Sequence, residues 1–266
     1  MTKPLSDTDL HELQLARNLL ENPGIAAKIT NVIGTPIEKA LRLLPENWNK
    51  NVVEVTRAAL MKASDAIVVT MKDVPGESAS TKWHKLGVAL SGGVGGFFGI
   101  AALAVELPIS TSIMLRSIAD IARSEGESLS SMETKLACIE VFALGGTSKD
   151  DDASEGGYYA VRSVLAKSIS DASEFLVRKT LTDEGAPLLI KLITMVAERF
   201  GIQVTEKAAA QAIPALGAAG GAIINTLFMD HFQSMARGHF IVRRLERKYG
   251  RDLVERYYRE LPRQYV

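Results

Sequence analysis

Glu106 is the residue of this 266-residue chain best placed to do chemistry. It follows twenty consecutive uncharged positions, Leu86 to Val105. A carboxyl group entering such a stretch is partly desolvated, which raises its pKa and suits it to proton transfer or cation binding. The structural alternative is a cap: two residues before Pro108, the carboxylate would meet the free N–H groups of a helix start. Arg116 and Asp120 follow, one helical turn apart. They read either as an i, i+4 ion pair worth about 0.3–0.5 kcal/mol or as a polar spot inside a bundle, with Glu106 or with Asn225.

The other reactive residue types are scattered. His11, His84, His231 and His239 form no metal signature, and the last two stand eight residues apart, about 12 Å along a helix axis. Asp230 beside His231 reads as a surface pair. Cys138 sits between Leu136 and Ile139 and reads as a buried thiol. Gly-x-Ser-x-Gly is absent, and Asp150–Asp152 lacks calcium-loop spacing. From Gly93, a dinucleotide loop would need glycine at 98, where Phe98 stands; no Lys-Ser or Lys-Thr follows, as a Walker loop requires. No catalytic residue, metal or cofactor is expected.

The elements that must position Glu106 are unusual. Six of the twenty residues before it are glycine, each costing a helix roughly 1 kcal/mol. Gly92, Gly95, Gly96 and Gly99 share one helical face, which lets a second backbone approach closely. Ala208–Met229 is a second uncharged run, with Gly217, Gly220 and Gly221 on one face. The two runs are expected to form helices that pack against each other in the centre of the protein.

The residues that follow the first run carry a resemblance. Val105-Glu-Leu-Pro-Ile-Ser-Thr-Ser-Ile-Met-Leu-Arg-Ser-Ile-Ala-Asp-Ile-Ala-Arg resembles the centre of the EcsC protein family. There a Gly-rich apolar run leads to an acidic residue, a nearby proline and an R-x-I-A-x-I-A helix. Glu106 stands where the family usually has aspartate, and Arg116, Ile118, Ala119, Ile121 and Ala122 fit the helix. Ile213-Pro-Ala-Leu-Gly-Ala, Asn225, Ala236, Phe240 and Arg244-Leu245 resemble its second block. Order and spacing agree over about residues 80–250, while Ser-Glu-Gly after Arg123 departs from the family's Tyr-Gly. The resemblance implies a buried Glu106–Arg116–Asn225 network that fixes helix register. It also implies a link to ABC-type transport or secretion, through the family's namesake.

Composition bounds the rest. Thirty-one basic residues balance thirty-one acidic ones, so no global field points to nucleic acid or lipid. One cysteine excludes an intrachain disulfide, and the N-terminus lacks the apolar run of a secretory signal, so cytoplasm is expected. The last thirty residues carry nine Arg/Lys against four Asp/Glu. With Tyr249, Tyr257, Tyr258 and Tyr265 interleaved, this tail could lie on an anionic membrane or pack as a terminal helix.

Helix signals recur along the chain: Ser6-x-x-Asp9, Thr35-Pro36, Trp48 to about Met71, Pro108–Arg123, a capping box at Ser130-x-x-Glu133, Tyr158–Leu181, Pro187–Phe200, Phe232–Tyr249 and Asp252–Leu261. No alternating strand pattern persists. The expected fold is all-α, a multi-helix bundle built around the two Gly/Ala-rich helices. Three parts are expected: an N-terminal helical segment (1–75), an EcsC-like domain (80–250) and a basic, aromatic tail (251–266). Both uncharged runs reach bilayer-spanning length, but they are only mildly hydrophobic, and a bundle that buries them is preferred. The functional expectation is a non-enzymatic accessory or adaptor at the cytoplasmic membrane face. Its partners would be an ABC transporter or other membrane protein, with the tail on an anionic membrane surface and no nucleic acid. The rivals are a hydrolase using Glu106 and a lipid-binding or membrane-inserting protein.

Overall fold

The computed structural model describes residues 4–21, 24–34, 36–70, 99–146, 157–178, 186–213 and 217–262. Among these the regular structure is helical and no strand occurs. The chain is an all-α multi-helix bundle. Its helices are α1 (Asp7–Leu20), α2 (Ile25–Ile33), α3 (Ile37–Leu41), α4 (Trp48–Thr70), α5 (Gly99–Ser124), α6 (Met132–Glu140), α7 (Gly157–Arg178), α8 (Ala186–Gln211), α9 (Gly217–Tyr249) and α10 (Arg251–Glu260).

Local chemistry explains where several helices start. The Ser6 hydroxyl caps α1, accepting from the Asp9 N–H at 3.2 Å. Trp48, Val52, Ala59 and Ala63 turn the inner face of α4 to the core. The capping box at Ser130 does not form: Ser131 holds the N-cap of α6 without a side-chain bond, and Ser130 meets the Ser128 hydroxyl at 2.7 Å.

Two helices differ from their sequence patterns. α5 does not open at Pro108 but is helical from Gly99 onward. Proline there removes one i→i−4 bond and leaves the Ala104 carbonyl unpaired by an N–H. Ala104 is exposed, so water can take that carbonyl. Ser112 donates back to the Pro108 carbonyl at 2.7 Å. Nor is Ala208–Met229 one helix. α8 continues past Phe200 to Gln211, and α9 runs unbroken from Gly217 to Tyr249. Ala212 and Ile213 leave the helix just before Pro214, which disfavours helix in the residues before it.

The buried apolar side chains form one cluster that reaches from Leu13 to Tyr258. At its centre Phe142, Phe200, Phe228 and Phe232 pack with ring centroids 4.7–5.9 Å apart. α5 packs against α4 and α9, and α1 against α9. Contacts advance in the same direction along α5 and α9: Ser117 meets Gln233, and Glu127, just past α5, meets Arg243. α8 runs the other way, with Gln211 against Asn225. The starts of α5 and α9 therefore share one end of the bundle with the finish of α8. α1, the finish of α9 and α10 occupy the other.

Gly92, Gly95, Gly96 and the boundary expected near 75–80 lie outside the described residues. Gly99 and Gly217 open α5 and α9, and Gly220 and Gly221 are buried in α9. A close glycine-mediated approach between two helices is at Gly238. A Cβ there would lie 2.7 Å from Leu20 Cγ and 3.0 Å from the Ala16 carbonyl oxygen. It is where α1 docks.

Candidate functional site: a buried ion pair and a carboxyl-floored cleft

Because α5 is helical from Gly99, Glu106 lies inside the helix and does not cap it. Its side chain is buried, and a carboxylate oxygen accepts from Lys207 Nζ at 2.8 Å. Lys207, from α8, is 0 % exposed, and its ammonium lies 5.1 Å from the centroid of the Phe228 ring of α9. Three helices thus meet on one ion pair. Each ion loses its hydration there, so the pair holds only while both partners are present.

The expected Glu106–Arg116–Asn225 network is replaced. Ten residues of helix rise about 15 Å, which carries Arg116 away from Glu106, and Arg116 is exposed. Asp120 does not pair with Arg116 either; it accepts from Arg123 Nη2 at 2.6 Å. Asn225 is fully buried and its Oδ1 accepts from Gln211 Nε2 at 3.1 Å. Of the four residues, the structure places Glu106 and Asn225 in the α5–α8–α9 interior, each held by a residue of α8. Lys207 escaped sequence reasoning, although a signal was present. It is the last charge before the run that begins at Ala208, as Glu106 is the first after the run that ends at Val105.

A second polar cluster lies nearer the other end. Tyr158 Oη and His239 Nδ1 are 3.0 Å apart, and His239 Nε2 lies 3.7 Å from Glu140 Oε2. Burial drives the His239 pKa well below its ordinary value and raises that of Glu140 to about 7. Arg162 binds both Glu246 oxygens, at 2.7 and 3.0 Å, the bidentate arrangement that suits guanidinium and carboxylate. Glu140 and Arg162 line a cleft of about 400 Å³.

His231 differs from its reading as half of a surface pair with Asp230. His231 is 0 % exposed and neither ring nitrogen has a partner among the described residues. Burial, aided by the Lys28 charge, lowers its pKa to about 3. Gly145, with φ +71°, makes room for it: a Cβ there would stand 2.6 Å from His231 Cε1. Cys138 is buried as expected, and burial pushes its thiol pKa up. Among the described residues no group of three His, Cys, Asp or Glu comes together to hold a metal.

Four basic residues near the end of α9 spend their charge internally. Lys248 donates to Asp9 at 2.8 Å, Arg244 to Glu12 at 2.6 Å, Arg243 to Glu127 at 2.9 Å, and Arg247 also binds Glu127. Arg17 donates to the carbonyl of Tyr258 at 2.8 Å and to that of Leu261. Tyr258 is fully buried and donates to Glu21 at 3.0 Å.

Fold and site together define an all-helical bundle in which polar side chains tie core helices to one another. A model of the EcsC protein family matches residues 9–245, and the chain belongs to that family. No curated protein and no solved structure matches it.

Proposed function

We propose that this EcsC family member is a non-enzymatic accessory at the cytoplasmic face of a membrane, working beside a membrane transporter. The observation that carries the membrane half is the polarity of the bundle. Both uncharged runs enter the fold at one end, where Val105 is 68 %, Ile109 50 % and Ile223 50 % exposed. Val105 and Ile109 lie one turn apart on α5, so they share a face. Among the described residues no helix is long and apolar enough to cross a membrane, which favours contact over insertion. The ion pairs of the tail argue against the tail as the anchor. The transporter half rests on the family resemblance. A hydrolase using Glu106 is disfavoured, because Lys207 occupies the carboxylate in a buried setting.

Membrane fractionation of the expressed protein tests this. The protein is expected to stay with membranes through a high-salt wash and to leave in alkaline carbonate. A Val105→Asp, Ile109→Asp double variant should move to the supernatant with an unchanged thermal midpoint. Arg256→Glu, which reverses an exposed basic residue of the tail, should have no effect. Release by salt or by Arg256→Glu, with the double variant still bound, would return the anchor to the tail.

A further inference from the structure

Among the buried polar groups described, the Glu140 carboxyl borders open space with no partner of its own. It is 3 % exposed and forms the floor of the cleft between α6, α7, α9 and the start of α10. Neither oxygen accepts a hydrogen bond from a described residue, and His239 Nε2 at 3.7 Å is beyond hydrogen-bond reach. A buried carboxyl without a donor is costly, and native interiors rarely leave one so. The cleft, about 400 Å³, falls in the range of small-molecule sites, about 300–1,000 Å³.

The cations around it divide into tightly and loosely paired. Arg162 is spent on Glu246, and Arg243 on Glu127 and Glu133. Arg251, at the rim and 46 % exposed, only approaches Glu255 at 3.8 Å, while Arg259 holds that carboxylate at 2.6 Å. The cleft therefore keeps an acceptor at its floor and a guanidinium at its mouth. We propose that it binds a small zwitterion, whose ammonium donates to Glu140 and whose carboxylate pairs with Arg251. An ammonium offers three donors to an acceptor that has none, and a guanidinium matches a carboxylate in plane.

Protonation supplies a second signature. Burial is the chief reason the Glu140 pKa stands at about 7; Arg162, Arg243 and Arg251 lower it and Glu246 raises it. Tyr158 and His239 also face it, both neutral, and Glu133 of α6 and Glu174 of α7 line the same cleft. A bound ammonium favours the carboxylate, so binding near neutral pH releases a proton.

The test is calorimetric titration of the full chain in solution. The probes are glycine, 4-aminobutyrate and 6-aminohexanoate, with n-butylamine and butyrate as matched half-ligands. Two buffers of different ionisation heat are used at pH 6.5. At least one amino acid should saturate, about tenfold tighter than either half-ligand, with a buffer-dependent heat. Glu140→Gln should weaken it about tenfold and abolish the buffer dependence, and Arg251→Ala should reduce its affinity to that of the amine. Arg251 is at the rim, so that variant tests the site even if the Glu140 change disturbs folding. Absence of saturable binding by all three amino acids would overturn the proposal. So would binding unchanged in both variants, or n-butylamine binding as tightly as the amino acids. No membrane enters the experiment, so its result is independent of the accessory reading.

Discussion

The two ends of the bundle are held by different physics. Where α5 and α9 begin, one buried ion pair joins Glu106 and Lys207, with Phe228 beside it, and Glu206 of α8 is buried as well. Where α9 and α10 finish, acids and bases interleave: Asp9, Glu12, Glu125 and Glu127 face Arg243, Arg244, Arg247 and Lys248. In the first setting a charge has no solvent to fall back on, so its partner is obligatory. In the second, water and neighbouring charges replace a lost partner. The same pairing of acid and base is therefore a lock at one end and an adjustable seam at the other.

That contrast is broken or sharpened most strongly at Lys207. Lys207→Met leaves Glu106 buried alone and is expected to cost about 3–5 kcal/mol in denaturant unfolding. The double variant Glu106→Leu, Lys207→Met removes both desolvated ions and should recover most of that loss. A loss in the double variant as large as in the single one would mean that the pair does more than neutralise itself.

Glu140 gives the next largest effect, through pH. Its folded pKa, about 7, lies above the ordinary value of 4.5. Its contribution to stability is therefore full below pH 4.5 and is lost as pH rises through 7. His231 and His239 act in the opposite sense: with lowered folded pKa values, they favour the fold above about pH 6.5 and oppose it in acid. Glu140→Gln removes only the first effect. The stability of the variant relative to the native protein should rise between pH 5 and 8 by about 2–3 kcal/mol. A flat difference would show that Glu140 is not protonated on folding.

How much of this was legible depends on how local the cause is. Periodicity and caps located the helices, since Ser6 and Asp9 act within one turn. The extension of α5 through Pro108 was hidden because proline is a local stop signal, and the packing that overrides it comes from α4 and α9. Glu106 stood out by isolation along the chain, but its partner lies 101 residues away, and only the fold brings the two together. The Arg116 expectation came from the family resemblance, and it failed because about 15 Å of helix rise separates Arg116 from Glu106. The tail looked basic because its acids reside in α1 and in the α5–α6 connection. The burial of His231 was a tertiary property, since Asp230 beside it in the chain suggested a surface pair and only the packed helices enclose its ring.

Gly238 tests whether the seam at the charged end rests on close approach as well as charge. Gly238→Ala gains about 1 kcal/mol of helix propensity. Its new methyl would stand 2.7 Å from Leu20 Cγ and 3.0 Å from the Ala16 carbonyl, an overpacking cost of about 1–3 kcal/mol. The net expectation is a loss of about 1 kcal/mol, with α1 becoming more sensitive to limited proteolysis. A stabilised variant would show that α1 can shift without penalty, and the seam would then rest on its ion pairs.

The smallest effect is expected at Lys248. Its ammonium, together with the Ser6 and Tyr249 hydroxyls, holds the Asp9 carboxyl well below the usual carboxylate range. Lys248 itself is 57 % exposed, so solvent and salt screen its pair with Asp9. Lys248→Ala leaves Asp9 bonded to Ser6 and to Tyr249 Oη at 2.7 Å, so its carboxylate is never stranded as that of Glu106 would be. The loss in denaturant unfolding should be the smallest of these variants and shrink further in high salt. If Lys248→Ala instead cost as much as Lys207→Met, the charged end would be as dry as the apolar end, and the distinction between lock and seam would fail.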